Sequence, residues 1–366
     1  MANSAINGLT AKTPVSTDLI PVADPTTGIA GKSTISQVIS ATSEDLVYTY
    51  TGTLSLPIYV VKSTPIWVGS GNPISGCHAS FLYIRDNILL TELSLTNLVS
   101  TDKDISIDSM PNLTSISFPA LTVVNNFTFG NLTLLNTINA PELITVVGSV
   151  NISSSLPAIT SFNVPKLTNI GGGFTFIGGS SFASLNFPLL DRIGGNFNPR
   201  LSNAITSISV PELKTVAGAV NIDQLPALTT MSFPKLTVIV GALSANGSGA
   251  LTSVSLPSIE IIAISLTTGS AIGFTSGTAS LTDFNIGSSI KRVGGTAGNV
   301  LFTSCALNQA SVDNILVRLA ALDGTGGTTA FSNRTVTITG TSSTPSATGL
   351  SAKATLVARG CTVTNN

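Results

Sequence analysis

A proline recurs at positions 119, 141, 165, 188, 211, 234 and 257, at intervals of 22, 24, 23, 23, 23 and 23 residues. A period of this length marks a stacked repeat, because one short unit cannot bury an apolar face alone and must lay it against the next. Each proline ends one phrase, as in LTSISFP, LNTINAP, ITSISVP, LTTMSFP and LTSVSLP. The phrase recurs without proline at LTELSLT, ending at Thr96, and at LTDFNIG, ending at Gly287, which places a seven-residue insertion within SAIGFTSGTAS. Apolar and polar residues alternate in it, as in Ile116-Ser117-Phe118 and Met231-Ser232-Phe233, the period-2 signature of a half-buried strand. The polar partners form an outward row: Ser94, Ser117, Asn139, Asn163, Asn186, Ser209, Ser232, Ser255 and Asn285.

About ten residues later a second alternating phrase follows, Phe127-Thr128-Phe129, Val150-Asn151-Ile152 or Phe174-Thr175-Phe176. It tends to follow a glycine, such as Gly148, Gly173 or Gly218, whose conformational freedom suits a tight corner. Its outward row is Thr128, Asn151, Thr175, Asn198, Asn221 and Ser244. The fold class expected is therefore mainly β: a solenoid of about nine 23-residue coils over 90–290, two strands to a coil, two parallel sheets around an aliphatic and phenylalanine core. At about 4.8 Å between strands such an array is on the order of 40 Å long.

The pattern L-x-x-h-x-h-P-x-L, seen as Leu113 to Leu121 and Leu228 to Leu236, resembles the BspA-like leucine-rich repeats of bacterial surface proteins and is similar to receptor L domains. The resemblance implies adhesion, to proteins, sugars or cell surfaces.

Residues 1–45 share nothing with the repeat. They are polar and proline-punctuated, with a short helical stretch expected near Ser36–Ala41, and need a partner to become ordered. The segment resembles the N-terminal peptides by which phage tail fibres and head fibres attach to the virion. The residues that carry the match, and so the anchoring role it implies, are Thr13, Val15, Asp18, Leu19, Ile20, Pro21, Val22, Asp24, Lys32 and Ile35. Gly31-Lys32-Ser33 is no phosphate loop, since Thr26 stands where the leading glycine is needed. Residues 46–89 hold all four tyrosines (Tyr48, Tyr50, Tyr59, Tyr83) and Trp67, read as an N-terminal β cap sealing the first coil or as a sugar or partner platform.

Residues 291–366 read as a small α/β cap. Ser311 is expected to cap a helix burying Val312, Ile315, Leu316 and Leu319, and 335–339 to form a strand. A second helix is expected from Pro345 at its first position, running through Leu350, Ala354 and Val357 to Gly360, before a last strand at CTVT.

Charged residues are 9% of the chain, 16 basic against 17 acidic, so no field gathers nucleic acid or an anionic membrane. Neither a signal peptide nor a membrane span is legible, and a virion protein made in the host cytoplasm is expected. Cys77, Cys305 and Cys361 are read as free thiols, and the six N-x-[ST] sequons as products of composition. The single histidine, His78, sits beside Cys77 in a serine- and glycine-rich loop, badly placed for a dyad on extended backbone. Glu142 with Lys166 and Glu212 with Lys235 are expected as inter-coil ion pairs, leaving Asp191, Asp223 and Glu260 isolated.

No catalytic set, metal site or cofactor is expected. The function expected is a structural or adhesive virion appendage, with a bacterial surface adhesin as the alternative and a glycan-cleaving tailspike behind it. The partners expected are other virion proteins through 1–45 and a host cell-surface protein or glycan, and a homo-oligomer is compatible with this. Ligand contacts are expected at the insertion and the glycine-rich loop, through Asp323, Thr325, Thr328, Thr329, Ser276 and Thr278, because loops at the end of an array carry contacts more readily than coil faces without aromatic anchors.

Overall fold

The computed structural model describes residues 90–366, apart from 96, 97, 102, 153–155, 267 and 296, and before residue 90 only the strands at 34–35, 50–51, 58–61, 77–79 and 82–85. The chain is mainly β, a parallel solenoid of about twelve turns with a period of about 23 residues. Residues 1–167 and 168–366 form two compact units.

One coil of the first unit shows how the sequence makes the turn. Ser115–Ser117 is a strand with Ile116 and the following Phe118 fully buried. Leu121 then donates its amide to Phe118 O at 3.2 Å, which puts Pro119 second in a β-turn, where its fixed φ fits. The same bond recurs at Leu143–Ala140, Leu213–Val210 and Leu236–Phe233, each around a proline. Val123–Val124 is a second, two-residue strand, and Phe127–Gly130 a third, with Val124, Phe127 and Phe129 fully buried. Each coil thus contributes three strands, where alternation alone suggests two. A dipeptide is too short to show a period; it forms because the coils on either side supply its ladder partners.

In the first unit the ladders run in register, Ile138 pairing with Ile116 and Phe162, and Phe127 with Ile105 and Val150. The third ladder extends upstream of the legible phrases: Leu82–Arg85 pairs with Ile105–Asp108, and Ile58–Val61 with Leu82–Arg85.

In the second unit the corresponding ladder runs through 174–177, 197–200, 220–221, 243–244 and 270–274. The insertion lies earlier than its sequence suggests. Ile262 pairs with Ile239, 23 residues back, but Ile272 pairs with Leu243, 29 back, and Asp283 with Ser253, 30 back. Six of the seven extra residues therefore fall between Ile262 and Ile272, and SAIGF is itself a strand.

Three further strands, 299–305, 335–340 and 362–365, extend the same ladder in parallel. Parallel neighbours need crossovers, supplied by α1 (Gln309–Ala320) and α2 (Ala347–Ala358). Helix α1 buries Val312, Ile315, Leu316 and Leu319 as expected. Its cap is Asn308, however, whose Oδ1 accepts from Ser311 N at 2.9 Å, while the buried Ser311 hydroxyl accepts from Phe284 N. Helix α2 is capped by Ser346, with Pro345 ahead of the cap, and it buries Gly349, Ala352 and Leu356. Leu350, Ala354 and Val357 are exposed. The rotation is set by Asp313 of α1, which accepts from Ser346 N at 2.9 Å and sits where a side chain on Gly349 would be, an ideal Cβ there lying 2.0 Å from its Oδ1.

Among the described residues, seven coils leave the third strand through a left-handed residue: Ser109 and Asn131 in the first unit, Gly178, Leu201, Gln224, Gly247 and Gly277 in the second. Leu201, at φ 59 and 46% exposed, is the side chain least suited to that position. Leu201→Gly is expected to stabilise the protein by about 1 kcal/mol, since the steric penalty of the left-handed region goes with the Cβ and little buried area is lost. Chemical denaturation of the two proteins checks it, and a loss of stability would contradict it.

Candidate interaction surfaces

The polar side chains of the coils divide into those that bond the next coil and those left facing solvent. Thr114, Thr122 and Thr160 in the first unit and Thr206, Thr237 and Thr252 in the second each donate the hydroxyl to a main-chain carbonyl of the preceding coil, at 2.9–3.2 Å. Corner carboxylates and amides do the same for main-chain amides. Asp104 Oδ1 accepts from Asn126 N and from the side-chain amides of Asn125 and Asn126. Asn126 Oδ1 accepts from Ser149 N at 2.7 Å, and Asn196 Oδ1 from Ala219 N at 2.8 Å. In the outward rows, Asn163 donates to Asn139 at 2.7 Å and Ser244 to Asn221 at 3.2 Å.

Both expected ion pairs form, Lys166–Glu142 at 2.5 Å and Lys235–Glu212 at 2.6 Å. Asp191 and Glu260 are not isolated: they pair with Lys214 at 2.9 Å and Lys291 at 2.8 Å, and Asp223 accepts from Asn246 N at 2.7 Å. The signal was legible, because Lys214 follows Asp191 by one period of 23 residues. Asp191, through its hydrogen bond and charge, and Glu212 beyond it raise the pKa of Lys214. These groups are exposed, so the pairs contribute little to stability.

The candidate ligand residues fall in two places. Asp323, Thr325 and Thr328 come together in an exposed turn, where Asp323 Oδ1 accepts from Thr325 N at 2.8 Å, Thr325 Oγ1 at 2.7 Å and Thr328 Oγ1 at 3.3 Å. These bonds, those of Thr325 first, hold the carboxyl of Asp323 below its usual range. Thr329 ties the turn down through its amide to Lys291 O at 2.8 Å. Ser276 is exposed in another turn, its amide 3.3 Å from Asn246 Oδ1. Thr278 is fully buried with its hydroxyl 3.4 Å from Cys305 Sγ, which removes it from the ligand candidates. It faces the core because the turn it closes donates Leu281 N to Thr278 O and folds the side chain inward.

Cys305 and Cys361 are buried free thiols, and burial pushes the Cys305 thiol up. Cys77 and His78 lie on a strand rather than in a loop, with a slip in register between them: Cys77 pairs with Leu98 and His78 with Ser100. Tyr50, Tyr59 and Tyr83 are on strands, while Tyr48 and Trp67 lie outside the described residues. So do the anchoring residues Thr13, Val15, Asp18, Leu19, Ile20, Pro21, Val22, Asp24 and Lys32, and the stretch Ser36–Ala41. Ile35 belongs to a two-residue strand paired antiparallel with Tyr50. Among the described residues no group of three or more metal-ligating side chains occurs, and no helix is long and apolar enough to cross a membrane.

Comparison of the chain with models of known families, with curated proteins and with solved structures finds no match.

Proposed function

We propose that this protein is a structural and adhesive appendage of a phage virion, a tail fibre or head fibre, fixed by residues 1–45 and presenting its repeats to a host surface. The observation that carries the reading is the N-terminal stretch TPVSTDLIPVAD followed by Gly28 and KSTISQV, which resembles fibre-anchoring peptides and shares no pattern with the coils. The likeness of the coils to BspA-like leucine-rich repeats supports an adhesive rather than a catalytic role. So does the chemistry of the coil acids: Glu142, Asp191, Glu212 and Glu260 are each matched to a lysine one coil away. The exposed turn at 323–329, with Ser276, is the assigned host-contact region.

Removing residues 1–45 is expected to leave a folded protein that no longer joins the particle. Grafting another sequence into 323–329 is expected to alter attachment to host cells while changing stability by no more than about 1 kcal/mol. Normal occupancy of the truncated protein on purified particles would end the anchor assignment. Unchanged attachment of the graft would move the contact region elsewhere.

A further inference from the structure

We infer that the C-terminal end of the ladder is a self-association surface, on which a second copy of this chain pairs its last strand and its α2 about a two-fold axis. The inference is independent of virion attachment.

Two features lie side by side there. The first is the strand Thr362–Asn365, last in its ladder, with 335–340 as its one neighbour. Thr362 donates its amide to Arg334 O at 2.9 Å, toward that neighbour. Successive residues of a strand point their main-chain groups in opposite directions, so the N–H and C=O of Val363 point to the open side. The second is α2: its twelve residues include Leu350, Leu356, Val357 and four alanines, Lys353 is its one charge, and its hydroxyl residues Thr348, Ser351 and Thr355 gather on one flank. The apolar residues outside that flank ask for cover.

Here α1 covers one flank, where Val317 and Ala320 meet Ala347, Thr348, Ser351 and Thr355 across a shallow groove. At about 100° per residue, Leu350, Ala354 and Val357 form a separate stripe, roughly a third of a turn round the helix from that groove. Leu350 is 52% and Val357 50% exposed. Helix and sheet layers therefore both stop at this end, one with an uncovered apolar flank and the other with unpaired main-chain groups.

A second copy meets both needs at once. A free edge is complementary to itself when turned antiparallel, and a two-fold that pairs two edges also brings the two α2 flanks together. Charge agrees. From 347 to 366 there is no acidic side chain, and both cations are engaged within the chain, Lys353 with Asn365 Oδ1 at 2.6 Å and Arg359 with Leu322 O at 2.9 Å. The surface offers a foreign charged partner nothing to read. Its extent is small, a helix about 18 Å long beside a four-residue strand, short of what a permanent complex covers. The dimer is accordingly a weak one that forms as concentration rises.

Sedimentation velocity of the full chain, from low micromolar to several hundred micromolar, is expected to show a monomer–dimer equilibrium. Val363→Pro removes the outward N–H and leaves the Thr362 amide, which bonds Arg334 O, in place, and Leu350→Glu with Val357→Glu puts like charges across the axis. Each is expected to weaken dimerisation at least tenfold with the melting temperature unchanged. Mixing the glutamate protein with one carrying Leu350→Lys and Val357→Lys is expected to restore association between the two. A wild type that stays monomeric throughout, or a dimer that all the variants leave intact, overturns the inference.

Discussion

Phe174→Asp is expected to cost more than about 4 kcal/mol, enough to abolish cooperative folding of the coils around it, whereas Thr175→Asp next to it costs less than about 1 kcal/mol. Phe174 is fully buried, its ring 5.1 Å from that of Phe187 and 5.7 Å from that of Phe197. The aspartate would lose both ring contacts and leave a carboxyl with no partner in an apolar core. Thr175 stands on the outer face, paired in register with Asn198, and an acid there meets water and a neutral amide. Thermal melts followed by circular dichroism separate the two. Equal melting temperatures would reverse the facing of this strand and of the strand 197–200 paired with it in register.

Gly194→Ala is expected to be nearly as damaging for an opposite reason, since it adds an atom where the main chain leaves no room. A Cβ on Gly194 would lie 1.8 Å from Gly171 O and 2.6 Å from Gly171 C, both main-chain atoms of the coil before. No side-chain rotation relieves that contact, so the two coils must part and the bond from Gly194 N to Ile170 O, at 2.7 Å, goes with them. A loss of about 3 kcal/mol or more is expected, at the upper end of overpacking costs. Gly249→Ala serves as the control: its nearest neighbour would be Gly277 O at 3.8 Å, ordinary contact, and a change within about 1 kcal/mol is expected. Similar denaturation midpoints for the two variants would mean that the coils are not stacked as closely at this corner as the structure has them.

The corner glycines also show where a correct reading rested on the wrong cause. Gly148 and Gly218 stand where the sequence suggests a tight corner, but neither has a positive φ. What excludes a side chain is the preceding coil: a Cβ on Gly148 would meet Asn126 Oδ1 at 2.2 Å, and one on Gly218 would meet Asn196 Oδ1 at 2.3 Å. Those same oxygens take the amides of Ser149 and Ala219. Glycine here makes space for a hydrogen bond between coils, a relation between residues 22 apart that a local reading of the turn does not contain.

The legible part of this protein is what the covalent backbone enforces residue by residue. Side chains of a strand alternate, so Ile116 and Phe118 inside with Ser117 outside follow from three letters. The α1 face is legible for the same reason, because its apolar residues fall on one stripe and its polar ones elsewhere. Of the candidate contact residues, the grouping of Asp323, Thr325 and Thr328 is equally local, a turn closed by its own side chains. Tertiary structure decides wherever the sequence offers several equivalent choices. Val123–Val124 has no period of its own and becomes a strand through its pairing with Thr145–Val146. Thr278 resembles its exposed neighbours in composition and is buried because its turn closes over Cys305. Helix α2 carries small and apolar residues round most of its surface, so no one face is marked for burial, and its rotation waits on Asp313 and the absent side chain of Gly349. A pattern fixes orientation only where apolar and polar residues are separated by the period of the element; where they are not, the neighbour that arrives with the hydrogen bond fixes it.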